Sequence, residues 1–154
     1  MSQSDLQLSS PALAATIHGE VTLQDFAGKP LVLYFYPRDN TPGCTRQGQG
    51  FRDLYDQFQE QGCEIIGVSR DKLTSHEKFA EKYDFPFALI ADPDETLCRQ
   101  FDVIKEKNMY GKKVMGIERS TFLFDGDGQL VREWRKVRVP GHVEEVLEAV
   151  RELT

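Results

Sequence analysis

Six apolar residues held between two prolines, Pro30-Leu31-Val32-Leu33-Tyr34-Phe35-Tyr36-Pro37, do most to limit what this chain can fold into. The run has no polar alternation, so it reads as a strand buried on both faces. Such a strand needs a packed layer on each side of its sheet. A helix follows at once. Thr41 can cap it, Pro42 sits where a missing N–H costs nothing, and Cys44 falls in the first turn. Phe51, Leu54 and Phe58 mark one face at helical spacing, and Gly62 ends the helix.

The rest of the chain repeats the alternation. Cys63 to Ser69 reads as a second buried strand. Thr74 to Glu77 has the form of a capping box and opens a helix through about Tyr83. Phe87 to Ala91 is a short strand, and Asp92-Pro93-Asp94-Glu95 opens a helix to about Phe101. Residues 104 to 116 read as a Lys- and Gly-containing loop. Ser120–Phe124 and Gln129–Trp134 pair as a hairpin across Asp125-Gly126-Asp127-Gly128. The last helix carries Val143, Val146, Leu147 and Val150 on one face. The order predicts an α/β fold with a central mixed sheet flanked by helices, and a thioredoxin-like arrangement fits it.

The 154 residues suit a single domain spanning 1–154. Hydrophobic residues make up 40% and charged residues 29%, the balance of a globular domain with an ordinary core. A net charge of -6 argues against a nucleic-acid binder, whose phosphate contacts need a positive surface. No apolar run reaches the roughly 20 residues of a membrane span. Met1 to Ser10 lack the charged and apolar regions of a secretory signal and read as a loosely held terminus. The three cysteines, Cys44, Cys63 and Cys98, include no Cys-x-x-Cys pair. They form neither a disulfide framework nor a zinc pattern, and a cytoplasmic location is expected.

Chemistry concentrates in Tyr36-Pro37-Arg38-Asp39-Asn40-Thr41-Pro42-Gly43-Cys44-Thr45. The start of a helix offers unpaired N–H groups and the positive end of its dipole, and both favour a thiolate. A free thiol, with a pKa of roughly 8.5, is only a few per cent ionised at neutral pH, and a nearby cation helps to ionise it. Arg38 and Arg119 are the candidate cations. The Thr41 hydroxyl, three residues before Cys44, can cap the helix, orient a bound oxygen, or do both in turn. A small residue filling a helix start would account for Cys44 alone equally well.

The full spacing goes further. Pro37, Thr41 and Cys44 match the Pro-x-x-x-Thr-x-x-Cys signature of the peroxiredoxins. The stretch from Tyr36 to Thr45 resembles the bacterioferritin comigratory, or Q-type, subgroup. So do Phe85-Pro86-Phe87, Asp92-Pro93-Asp94 and Gly116-Ile117-Glu118-Arg119-Ser120-Thr121-Phe122-Leu123. The resemblance covers nearly the whole chain from about Leu23. It implies a thiol-dependent peroxidase acting on hydrogen peroxide and organic hydroperoxides, in antioxidant defence and redox homeostasis. Cys44 would be the peroxidatic cysteine, forming a sulfenic acid. Thr41 would hydrogen-bond thiolate and peroxide, Arg119 would stabilise the thiolate and polarise the O–O bond, and Pro37 would shield the pocket. No cofactor or metal ion is implied. The reductant would be thioredoxin, glutaredoxin or a low-molecular-weight thiol, and the subgroup leans towards a monomer, with a dimer the other option.

The chain departs from the subgroup in its other thiols. Two positions that hold a resolving cysteine in relatives are here Gln49 and the neighbourhood of Ala80. Cys63 opens a strand, and Cys98 shares a helix with Leu97 and Phe101, so both read as small buried apolar residues. A one-cysteine cycle resolved by an external thiol is therefore expected.

A thiol–disulfide reductase and a non-catalytic binding or holdase domain are the rival readings. The first lacks its Cys-x-x-Cys, and the second leaves Thr41, Cys44 and Arg119 unexplained. Asp125 to Gly128 is expected to be a turn rather than a calcium loop, because Leu130 and Lys136 stand where a Gly and a Glu would be needed. His18, His76 and His142 are too scattered to suggest a metal site. Lys105, Lys107, Lys112 and Lys113 read as a solvated loop with room for a docking role. Met109, Tyr110 and Met115 could wall the pocket or form a small contact surface.

Overall fold

In the computed structural model, which describes residues 8–153, the apolar run forms β3 (Leu31–Phe35) at the centre of a five-stranded sheet. Two short strands precede it, β1 (Leu13–Ala14) and β2 (Glu20–Val21), paired antiparallel. A single 3-10 turn at Leu23–Phe26 leads into it. The chain then runs through α1 (Pro42–Asp53), α2 (Tyr55–Glu60), β4 (Glu64–Ser69), α3 (Leu73–Tyr83), β5 (Ala88–Ala91) and α4 (Thr96–Gln100). It continues through β6 (Ile104–Met109), β7 (Lys112–Ile117), β8 (Ser120–Phe124), β9 (Leu130–Trp134) and α5 (His142–Arg151).

The central sheet has the order β5-β4-β3-β8-β9. β3, β4 and β5 pair in parallel, while β8 pairs antiparallel with both β3 and β9. This is the mixed sheet that the alternating pattern predicts.

Because side chains alternate across a strand, β3 feeds two separate cores. Leu31, Leu33 and Phe35 pack on one face with Leu97, Cys98, Phe101, Val103 and Phe122. Val32, Tyr34 and Tyr36 pack on the other with Cys44, Phe51, Phe58, Phe79, Val146 and Val150. The helix that carries Cys44 and the C-terminal helix thus cover one face, and α4 covers the opposite one. Val143, Val146, Leu147 and Val150 of α5 are all buried, as their spacing predicts.

Several boundaries and one whole element differ from expectation. The helix after Pro42 is interrupted at Leu54 (φ -101, ψ 4) rather than running unbroken to Gly62. α3 begins at Leu73 with Lys72 at its cap and no side-chain capping bond, so the Thr74–Glu77 box does not form. The N-cap of α4 is Glu95 (φ 62) rather than Asp92, but Asp92, four residues before the helix, still serves its first turn. Its carboxylate accepts from the N–H groups of Leu97 (3.2 Å) and Cys98 (2.8 Å). Residues 104–116 are not a loop but mostly the β6–β7 hairpin, turning at Tyr110 and Gly111. Leu8 is buried and Ser10 donates to Gln24 Oε1 (2.9 Å), so the loosely held terminus does not extend to residue 10. The part at residues 1–7 lies outside the described residues. Asp125 accepts from the N–H groups of Asp127 and Gln129, the geometry of a turn.

Candidate active site

α1 starts just beyond the C-terminal end of β3, and its first turn forms the floor of the site. Thr41 is the N-cap residue in extended conformation, Pro42 is the first helical residue, and the Thr45 N–H donates to the Thr41 carbonyl (2.8 Å). The Thr41 side chain does not cap. Its hydroxyl instead donates to the Arg38 carbonyl (2.9 Å), three residues back. A hydroxyl has one hydrogen and two lone pairs, so Thr41 Oγ1 faces a visitor as an acceptor. Pro37 is half-buried between β3 and this loop.

Cys44 is 2% exposed. Arg119 lies in the short link between β7 and β8, not on a strand surface. Its Nη2 donates to Cys44 Sγ (3.3 Å) and its Nη1 donates to Gln47 Oε1 (2.6 Å). Gly43 makes the approach possible, since a Cβ there would stand 3.2 Å from Arg119 Nη2. Of the two candidate cations, Arg119 meets the sulfur, whereas Arg38 is exposed.

Gln47 is a site residue that sequence reasoning missed. It is fully buried, one helical turn after Cys44, and its Oε1 anchors the guanidinium while its Nε2 has no partner. The available signal was the i, i+3 spacing, which puts both residues on one helix face.

Lys107 of β6 lies half-buried beside the site rather than in a solvated loop. Burial pushes its amine down from the usual lysine range, Arg119 acts in the same sense, and Cys44 opposes. Tyr110 is 99% and Met115 56% exposed, which makes them surface rather than wall. The Met109 side chain lies outside the described residues. Tyr34 backs the pocket, its phenol pushed well up, first by burial and then by Cys44 and Asp39.

Behind the loop lies a buried polar network with no sequence signal. Tyr36 donates its hydroxyl to Asp39 Oδ1 (2.6 Å) and Ser75 donates to Asp39 Oδ2 (2.8 Å). His76 Nδ1 lies 2.7 Å from Asp39 Oδ2, and its Nε2 lies 2.9 Å from the Ile90 carbonyl. Each ring nitrogen therefore has an oxygen within hydrogen-bond distance. Asp71 stands next to this group, close enough that Asp39, Asp71 and His76 place one ligand-type atom each within 4.8 Å. Those atoms already hydrogen-bond protein partners, which accounts for the cluster without a metal.

The other thiols stand apart. Cys63 precedes β4 at the end of the sheet opposite Cys44, because Leu31 pairs with Glu64 and Phe35 with Val68. The four steps between the ends of this five-residue strand, at ~3.3 Å each, separate those ends by on the order of 13 Å, while bridged cysteines need Cα atoms within about 7 Å. Cys98 packs in the core on the other face of the sheet. Burial pushes the Cys63 thiol up to about 12, and burial and then Asp92 push Cys98 up as well.

Comparison with known proteins shows which family the chain belongs to. The AhpC/TSA family matches residues 5–133. Peroxiredoxin Bcp of Xanthomonas campestris is 56% identical over 132 residues, covering 86% of this chain and 82% of that protein. Peroxiredoxin Bcp of Bacillus subtilis is 51% identical over 138 residues, covering 89% and 88%. A solved structure of X. campestris Peroxiredoxin Q, a Cys-to-Ser mutant, superposes with a TM-score of 0.91 at 49% identity, covering 99% of this chain and all of that one. A structure of the X. campestris bacterioferritin comigratory protein, concerned with its alkyl peroxide reduction activity, gives a TM-score of 0.88 at 52% identity, covering 92% and 90%. With a thioredoxin-like sheet, a buried cysteine at a helix start and these relatives, the chain belongs to the AhpC/TSA family, as a thiol peroxidase of the Bcp, or Q-type, peroxiredoxins.

Proposed function

We propose that Cys44 is the residue at which this single-domain peroxidase reduces hydrogen peroxide and organic hydroperoxides, alkyl peroxides among them. The contact between Arg119 Nη2 and Cys44 Sγ at the first turn of α1 carries the reading. The thiolate attacks the terminal oxygen of ROOH. An S–O bond forms as the O–O bond breaks, sulfur loses two electrons, and the departing alkoxide takes a proton to leave as ROH. Cys44 is then a sulfenic acid. The Arg119 guanidinium and the N–H groups of the first turn are donors held in place before charge moves from sulfur to oxygen, where fixed donors act most strongly. Thr41 Oγ1, with its own proton committed to Arg38, accepts the peroxide O–H and orients it. Pro37 limits water entry beside Tyr34, and Gln47 holds Arg119 in register.

The cycle is of the one-cysteine kind. Cys63 and Cys98 are buried, remote from Cys44 and pushed towards the unreactive thiol. An external thiolate attacks the sulfenic sulfur, water leaves after protonation, and a second thiol releases the mixed disulfide. Thioredoxin, glutaredoxin and small cytoplasmic thiols all have the required chemistry. We take the active form to be a monomer.

Intact mass after one equivalent of hydrogen peroxide, with thiol blocking and peptide mapping, tests the reading. One oxygen on Cys44, or its trapped adduct, is expected in the wild type and in Cys63→Ser/Cys98→Ser. A Cys44 thiol that survives peroxide would sink the assignment. Loss of two hydrogens, with Cys44 joined to another cysteine of the chain, would overturn the one-cysteine cycle alone.

A further inference from the structure

The peptide unit between Arg38 and Asp39 is gripped at both ends. Its carbonyl accepts the Thr41 hydroxyl (2.9 Å), and its N–H donates to Asp71 Oδ2 (2.8 Å). Asp71 is itself fixed. The same oxygen accepts from the Ser69 hydroxyl (2.7 Å), and the Asp71 N–H donates back to Ser69 Oγ (3.1 Å). Ser69 is fully buried at the end of β4, so this anchor belongs to the central sheet. The Asp39 side chain is held on the other side by Tyr36, Ser75 and His76. The plane of a peptide is rigid, so fixing its N–H fixes its C=O.

We infer that Asp71 is a positioning residue for the peroxidase reaction, acting through the 38–39 peptide to set the direction of the Thr41 hydroxyl. The inference rests on the role given to Thr41 above. With the peptide fixed, the Thr41 proton stays on the Arg38 carbonyl and its lone pairs stay open to the peroxide O–H. With the peptide free to rotate, Thr41 loses that partner, and its hydroxyl hydrogen competes for the thiolate or for the peroxide oxygen. Asp71 touches neither sulfur nor substrate. Its effect therefore appears in reactions that need an oriented O–H and disappears in those that do not.

The test compares wild type, Asp71→Ala, Thr41→Val and the double variant. Two rates are read for Cys44: oxidation by hydrogen peroxide and alkylation by iodoacetamide, which has no O–H to orient. Asp71→Ala is expected to slow oxidation about tenfold, the scale of one well-placed hydrogen bond, with alkylation within about twofold of wild type. The double variant is expected to be no slower than Thr41→Val, because the two residues act in one chain. Asp71→Asn keeps an acceptor for the Asp39 N–H and is expected to restore most of the rate. If Asp71→Ala fails to fold, Ser69→Ala loosens the same carboxylate, with an expected slowing of about threefold, again confined to oxidation. Wild-type oxidation in a folded Asp71→Ala or Ser69→Ala beside a slow Thr41→Val would overturn the inference alone. So would full additivity in the double variant, or equal loss of both rates. A Thr41→Val that oxidises at the wild-type rate would instead remove the role of Thr41 and the inference with it.

Discussion

Replacing Arg119 by Met removes the guanidinium while keeping a long apolar stem over the helix start. At 3.3 Å, a unit positive charge and a thiolate interact by about 5 kcal/mol in a medium of effective dielectric ~20. Arg119 is partly exposed, so solvent screens part of this, and only the portion that grows on the way to the transition state alters the rate. Loss of one preorganised donor at a developing oxyanion costs about 2.7–4 kcal/mol, or on the order of 100- to 1000-fold. Arg119→Met is therefore expected to slow oxidation of Cys44 by that factor. Arg119→Lys falls in between, since one ammonium cannot serve Gln47 Oε1 and Cys44 Sγ as the two arms of the fork do. Met also leaves the buried Gln47 amide without its partner, at a stability cost of about 1–3 kcal/mol. Urea unfolding must accompany the kinetics, which are followed by quenched flow and mass spectrometry under excess peroxide. A folded Arg119→Met whose oxidation rate stays within about threefold of wild type would refute the electrostatic argument.

Two further perturbations probe the frame around the site. His142 is buried at the start of α5, 2.8 Å from Thr121 Oγ1, and burial pushes its pKa down to about 4. The unfolded chain, with a histidine pKa of roughly 6.5, binds the proton that the folded chain refuses. Stability attributable to His142 is thus complete above about pH 6.5 and falls by up to about 3 kcal/mol as pH drops towards 4. Urea unfolding at stepwise pH should show this slope in the wild type and lose it in His142→Gln; equal slopes in the two proteins would count against it. Gly48→Ala gains about 1 kcal/mol in helix propensity, but its Cβ would sit 2.5 Å from Phe85 Cζ. That ring is stacked on Phe87 and edge-on to Phe79, so overpacking should win by about 1–2 kcal/mol. A raised Tm would show that the aromatic cluster yields more readily than its packing indicates.

The central sheet and the floor of the site were legible because their signals are local. Prolines bracket β3, and Thr41, Pro42 and Cys44 lie within one turn. The β6–β7 hairpin was hidden for two reasons. β6 reads Ile-Lys-Glu-Lys-Asn-Met and β7 Lys-Lys-Val-Met-Gly-Ile, so neither strand shows the apolar–polar alternation that marks a buried face. Its turn uses Tyr110 and Gly111, both at positive φ (54 and 80), where Asn-Gly would have been recognised. The capping box at Thr74 failed because the chain is already helical at Leu73, with Ser75 and His76 turned towards Asp39. Arg119 was reachable only through resemblance, since nothing near it in sequence announces a partner 75 residues away. The network of Asp39, Asp71 and His76 had no signal, because β4, α3 and the loop before α1 meet only in three dimensions.

The placing of the thiols has a consequence for timing. In a chain whose second thiol is tethered nearby, the oxidised sulfur disappears at a rate set by the chain's own motion, whatever surrounds it. Here Cys63 lies at the far end of the sheet and Cys98 on its far face. Under the one-cysteine cycle we propose, the lifetime of oxidised Cys44 is then inversely proportional to the concentration of thiol outside the protein. When that supply thins, the same sulfur meets a second peroxide first, and the enzyme is retired in proportion to the shortage.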